Sequence, residues 1–220
     1  MFSYNTQTKE IFLYDYIGPQ WFGMIDAGAV QEALDAIPGR ATVRINSGGG
    51  GVDEGIAIYE MLRRHPGGVD VIVDSSAYSI ASVIMLAGES LKMAKGAAAM
   101  VHSPWLMMAS GNAKELRKLA DTLDIHEERI VAIYEDAYKK RGKEKSRDEI
   151  KAMMEAETWY SAEAALDAGL IDAIEGQAVE PVAAKYRKMP AAMARAQKAG
   201  DRTPYPFARE AARLRLRKNS

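Results

Sequence analysis

The stretch VDVIVDSSAYSIASVIMLAG, residues 69–88, passes from a β-rich run directly into an apolar one. Val69 to Val73 is rich in β-branched residues and reads as a strand. Ser79 to Ala87 is nearly all apolar or small, which reads as a helix buried in a protein core. At its longest, from Ile80 to Gly88, this apolar stretch is interrupted by Ser82 and falls far short of the roughly 20 residues a membrane span needs. Upstream the same step from strand to helix recurs. Ile11 to Ile17 reads as a strand ended by Gly18-Pro19, and Asp26 to Ile37 has helical spacing (Val30, Leu34, Ile37) ended by Pro38-Gly39. Ala41 to Ile45 reads as a buried strand, followed by the glycine run Gly48 to Gly51 and a helix over Asp53 to Arg64 (Ile56, Ala57, Met61). Strands alternating with helices predict a parallel α/β core.

Downstream, Ala98 to His102 reads as a short strand ending at Ser103-Pro104. Asn112 to about Arg141 carries the clearest helical signal. Leu116, Leu119, Leu123, His126, Ile130, Ile133 and Ala137 step alternately by three and four, the heptad seam of a helix packed along another helix. Ser146 to Met154 follows as a helix, with Ser146 and Glu149 spaced as a capping box. Another helix starts at Ser161 and closes at Gly169, and Ile171 to Ile174 reads as the last strand. Beyond Gly176 the character changes. Pro181, Pro190, Pro204 and Pro206 interrupt an Ala-rich tail that carries eleven Lys and Arg from Lys185 onward. The expected organisation is one domain over residues 1–176, with a helical arm at about 112–141, and a basic solvated extension over 177–220.

Composition narrows the function. The chain has 220 residues, 48% of them hydrophobic, which suits one α/β domain with a proper core. A formal net charge of -1 gives no global basic field for nucleic acid. The absence of cysteine removes disulfides, thiol nucleophiles and thiolate metal sites, and fits a reducing compartment. Met1 to Glu10 is polar and lacks the order of a secretory signal, so the chain reads as soluble and cytoplasmic.

Only three histidines exist, and they sort the candidate chemistry. His65 stands at a helix end before Pro66-Gly67, where a cation near the helix dipole accounts for it. His126 falls on the heptad seam, which reads as packing. His102 ends an apolar strand, where α/β sheets present catalytic groups; alone it fits either a general base or a satisfied core histidine. Ser75, Ser76, Ser79 and Ser82 supply the hydroxyls nearby. Ser79 lies where strand gives way to buried helix; taken alone it reads first as an N-cap, and otherwise as a nucleophile facing free helix amides. The glycine run lacks both the dinucleotide spacing and a Gly-Lys-Ser/Thr ending, so it does not read as a phosphate loop. Glycines at this position let a backbone N–H approach a substrate carbonyl.

In order and spacing, these segments resemble the Clp protease (ClpP) family. Ile45-Asn-Ser-Gly-Gly-Gly-Gly51, with Gly55 and Ile58-Tyr59, is similar to that family's Asn-Ser-Pro-Gly-Gly loop and following helix. Ala77 to Gly88 resembles its nucleophile helix, Ala99 to Pro104 its histidine segment, and Glu157 to Asp172 the segment carrying its third triad member. The resemblance runs from about Ile11 to Ile174. It is nearest to the phage-encoded head maturation (prohead) proteases, through the opening Ile11-to-Gly18 segment with Trp21, the Asp53-to-Tyr59 stretch and Glu157-Thr-Trp159.

The resemblance implies a spiral of strand-strand-helix units with a protruding helical arm, and a serine endopeptidase without metal or organic cofactor. Ser79 is the implied nucleophile, His102 the base, and Glu157 the carboxylate where the family usually has Asp; Glu155 and Asp172 are the reserves. The amides of Gly49 and Ile80 are the implied oxyanion hole, with Gly48 and Gly50 beside the substrate. Gly48 stands where the family has proline, so a looser loop is expected. Implied partners are protein substrates, among them phage scaffold or capsid precursors, and further copies of the chain in rings, joined through the arm. Neither nucleic acid nor membrane is implied, and the place of action is the cytoplasm or the assembling phage head. A housekeeping protease fed by an ATPase is the neighbouring reading. A Ser-Lys peptidase using Lys92 or Lys95, and an inactive crotonase-fold assembly subunit, are the rivals from other classes.

Overall fold

The alternating strand and helix signals assemble into one mixed sheet with helices packed on it, in a computed structural model that describes residues 2–175. The expected basic extension, 177–220, lies outside the described residues. Strands β1 (Phe2–Asn5) and β2 (Glu10–Leu13) form an antiparallel hairpin. From β2 the sheet continues in parallel through β3 (Ala41–Ser47), β4 (Val69–Tyr78), β5 (Ser90–Ala94) and β8 (Ala173–Glu175).

On the side away from β3, β4 has two partners along its length. Asp70–Val73 pairs with β5, whereas Ser76–Tyr78 pairs with β6 (Ala98–Val101), itself antiparallel to β7 (Thr158–Ser161). The change of partner follows an irregularity in register: Ile45 opposes Val73, but Ser47 opposes Ala77. The extra residues of β4 re-aim its last turn, as bulges do. Asp74 lies in this bulge with only 1% exposure. A buried carboxylate needs partners, and it has them: Arg44 donates from Nε at 2.8 Å and from Nη2, and the Tyr14 hydroxyl donates as well.

Helix α1 (Ala27–Ala36) is capped by Asp26, whose carboxylate accepts the Ala29 N–H at 2.8 Å. α2 (Val52–Arg63) buries Ile56, Ile58, Tyr59 and Leu62. α3 (Ile80–Ile84) runs on as one 3-10 turn, Met85–Ala87, and every residue of both is buried. α4 (Ala113–Lys140) and α5 (Arg147–Glu155) each begin with a capping box, at Asn112/Glu115 and Ser146/Glu149. α6 (Ala162–Asp167) starts at Ser161, as its sequence indicates. Among the described residues, no helix is long and apolar enough to cross a membrane.

Three strands escape the sequence pattern, and so does one division. β1, β5 and β7 are only four or five residues long and β1 and β7 are largely exposed; even in β5, where buried Leu91 and Met93 alternate with Ser90 and Lys92, the run is too short to stand out. The seam of α4 is not uniform. Ile130, Ile133 and Ala137 are buried in the subunit's own core together with Val131, Tyr134 and Tyr138. Leu116 remains 41% exposed, Leu119, Leu123 and His126 are half-buried, and Ile125 is 60% exposed. A single interface along the whole seam is therefore ruled out: its second half packs inside the domain and its first half projects.

Candidate active site

β4 ends at Tyr78 and α3 begins at Ile80, so Ser79 alone makes the turn between them. Its φ of 55° and ψ of -129° lie in a region L-residues avoid, at a cost of about 1–3 kcal/mol. The Ser79 N–H donates to Met100 O at 2.9 Å, which carries the β4–β6 ladder one step beyond the strand. This turn lifts the hydroxyl off the sheet, where Ser79 Oγ lies 2.7 Å from His102 Nε2. His102 directly follows β6. Burial holds its imidazole below the usual histidine range, and the charge of Glu157 partly opposes that shift. A neutral ring beside a hydroxyl can accept its proton.

Glu157 reaches the site by register. The antiparallel ladder of β6 and β7 pairs Val101 with Thr158, so the next opposed pair is His102 and Glu157. Glu157 also has a left-handed backbone, φ 50°, and its N–H donates to Met154 O at 3.1 Å. Its exposed carboxylate accepts the Trp159 indole N–H at 3.3 Å rather than a bond from His102. Trp159 in turn stands edge-on to Tyr78, with ring centroids 5.0 Å apart. Asp172 is committed elsewhere: it accepts the Leu91 N–H at 2.7 Å and pairs with Arg141 at 3.0 Å. Glu155 closes α5 on the surface.

The glycine loop lies against the nucleophile. Gly49 has a φ of 92°, and a Cβ there would stand 2.6 Å from both Ser79 Cβ and Tyr78 O. Gly48, where a looser loop is expected, is enclosed by its surroundings. The Tyr16 ring covers it so closely that a Cβ would be 2.7 Å from Cε1. The loop is further held by Ile17, whose N–H donates to Gly49 O at 2.8 Å and whose carbonyl accepts the Gly51 N–H at 2.9 Å. These bonds turn the N–H and C=O of Gly50 away from Ile17. The Gly49 N–H rests on Ser47 Oγ at a long 3.2 Å, while that hydroxyl donates to Asp15 O at 2.6 Å. The Ile80 amide, in the first turn of α3, has no intrahelical acceptor. A cavity of about 40 Å³ opens beside Ser79, walled by Gly50, Val52, Val83 and Ile130 with Ser82 and Tyr134.

The remaining sequence candidates are placed away from this chemistry. His65 Nε2 contacts Gly39 O at 2.7 Å, and His126 lies 3.8 Å from Asp53. Lys92 pairs with Glu175 at 3.1 Å. Ser75 and Ser76 are buried within β4. Ser82 bonds to Ser79 O at 2.5 Å and to the Tyr134 hydroxyl at 2.6 Å. Sequence reasoning missed Tyr16, Tyr134 and Trp159. Tyr134, four residues after Ile130, carries only the signal of a core position.

Comparison with known proteins matches residues 34–178 to the Clp protease family. Relatives include the ATP-dependent Clp protease proteolytic subunit 1 of Chlamydia abortus, 32% identical over 138 residues, 59% of this chain and 67% of that one. The subunit of the same name from Leifsonia xyli is 27% identical over 137 residues, 61% and 66% of the two chains. That of Protochlamydia amoebophila is 28% identical over 161 residues, 68% and 76%. The first two alignments span about two thirds of the relatives' own length.

Proposed function

The chain belongs to the Clp protease family, and on that premise we propose that it is a serine endopeptidase with Ser79 as nucleophile, His102 as general base and Glu157 as the orienting carboxylate. The observation that carries this reading is the 2.7 Å contact between Ser79 Oγ and His102 Nε2 at a strained turn. As Ser79 Oγ attacks a peptide carbonyl, its proton passes to His102 Nε2. The amides of Gly49 and Ile80 flank the attacking oxygen and donate to the oxyanion, the Gly49 N–H leaving its long bond to Ser47. The protonated imidazole then delivers the proton to the leaving amine, and water releases the acyl group by the reverse sequence. Glu157 completes the row by turning from Trp159 onto the imidazolium, which its opposed register permits. The cavity beside Ser79, which Gly50 helps to line, receives a substrate side chain, and Gly48 is the further residue proposed beside the substrate.

We further infer ring assembly through the projecting half of α4, which leaves Leu116 and Ile125 uncovered. The motif resemblance favours phage scaffold or capsid precursors as substrates. The names of the relatives favour a second setting, the same chemistry fed by an ATP-dependent partner. Fluorophosphonate labelling with mass mapping tests the core of the reading. Ser79 should be modified, and Ser79→Ala should lose both label and peptidase activity while staying folded and assembled. Labelling at Ser76 or Ser82 with full turnover in Ser79→Ala would overturn it.

A further inference from the structure

The turn at Ser79 is held by more than the β4–β6 ladder. The Ser79 carbonyl accepts two bonds from Ser82, one from the N–H at 2.9 Å and one from Oγ at 2.5 Å. Ser82 Oγ also lies 2.6 Å from the Tyr134 hydroxyl. The direction of this chain follows from proton counting. A carbonyl cannot donate, so the single Ser82 hydroxyl proton points to Ser79 O, and the Tyr134 O–H must donate to Ser82 Oγ. Burial pushes the Tyr134 phenol well above its usual range, so that proton stays in place.

The Ser79 carbonyl and the Ile80 N–H belong to one planar peptide unit and point in opposite directions. Whatever fixes the carbonyl fixes the amide. We propose that Tyr134 and Ser82 are positioning residues, a hydrogen-bond relay that clamps the Ser79–Ile80 peptide plane and so aims the Ile80 N–H at the oxyanion. This inference rests on the peptidase reading above, and extends it to a residue on the long helix α4. The clamp also explains how a serine persists at φ 55°: strained backbone survives only where its surroundings over-determine it.

The experiment compares wild type with Tyr134→Phe, Ser82→Ala and the double variant, on a fluorogenic peptide and on the matching peptide aldehyde. The aldehyde's hemiacetal oxygen occupies the same hole. Removing an oxyanion donor outright costs about 10²–10³-fold in kcat, and tilting one should cost about tenfold. The expected result is kcat lower by about tenfold at unchanged KM, with aldehyde inhibition weakened in proportion. Because both residues act through one relay, the double variant should lose no more than the worse single one.

Both groups also line the cavity, so a rise in KM at unchanged kcat would make them substrate wall and overturn the inference. Full additivity in the double variant would overturn it too. Should Ser82→Ala misfold because it strands the Tyr134 phenol, the double variant strands no hydroxyl and carries the test. Failure of wild type to label at Ser79 would defeat the peptidase reading and the relay with it. Normal labelling with unchanged kcat in all variants would defeat the relay alone.

Discussion

Ile130→Asp and the pair Leu116→Asp/Leu123→Asp should separate the two halves of α4 by opposite readouts. Ile130 is 5% exposed and belongs to the domain core, so replacing it forfeits about 2 kcal/mol of apolar transfer. An unpaired carboxylate at that site adds a desolvation cost of several kcal/mol more. A total near 5 kcal/mol is about half of the order of 10 kcal/mol expected for a domain of this size. At about 2–4 °C per kcal/mol, Tm should fall by about 10–20 °C. Leu116 is 41% exposed and Leu123 half-buried, so each outer change should shift the subunit's own stability by only about 0.5 kcal/mol. The outer pair should instead move the protein to smaller species in sedimentation velocity, with peptidase activity falling alongside. Thermal scans at several protein concentrations separate the effects, because assembly makes Tm concentration-dependent. An Ile130→Asp protein melting within a few degrees of wild type would refute this account of the core. An outer pair that melts as early as Ile130→Asp, or that assembles like wild type, would refute the account of the projecting half.

Three further outcomes follow from the site. Activity should decline on acidification as His102 becomes protonated, with an inflection below the ordinary 6.5; Glu157→Gln removes the charge that raises this pKa, so the inflection should move to still lower pH while plateau turnover drops. An unmoved inflection would show that Glu157 does not act on His102. Because folding depresses the His102 pKa, the unfolded chain binds the extra proton as pH falls; stability complete above about pH 6.5 should be lost through the folded pKa, and His102→Gln should lose that part of the acid dependence of Tm. Gly49→Ala would drive a methyl to 2.6 Å from Ser79 Cβ and Tyr78 O, so it should abolish labelling of Ser79 and lower Tm; a fully active variant would mean that the loop stands away from the nucleophile.

The parts of the fold legible in the sequence are those where burial is one-sided or complete. α1, α2, α5 and α6 have boundaries within a residue or two of their sequence signals, because caps and breakers mark their ends. β4 was legible only to Val73, since Asp74-Ser75-Ser76 reads as a break; a buried ion pair with Arg44 lets the strand run on to Tyr78. Ser79 and His102 were readable as candidates from their places at element ends, and the 2.7 Å contact joins them. The Tyr134–Ser82 relay was not readable, because a tyrosine on a core face carries the same signal whether or not its hydroxyl is used. The division of α4 was equally hidden: heptad spacing reports that a face is apolar, not which neighbour covers it.

The three proposed catalytic residues share one geometric origin. Ser79 stands one residue after β4, His102 one residue after β6, and Glu157 one residue before β7. Ladder register connects these ends, with Tyr78 opposite Met100 and Val101 opposite Thr158. The site is therefore where three paired strands stop together, and each chemical group occupies the first position beyond its strand. There the backbone leaves strand geometry and is left-handed at both Ser79 and Glu157, although the Ser79 N–H still bonds to Met100 O. Side chains alternate faces along a strand, so a one-residue slip of β6 against β4 would carry His102 to the opposite face of the sheet. The proposed triad thus depends on the register of β6, a strand of only four residues held between β4 and β7. The bulge in β4 then has a functional reading: it redirects that strand from β5 to β6, and without the redirected Ser76–Tyr78 segment β6 has no parallel partner to fix its register.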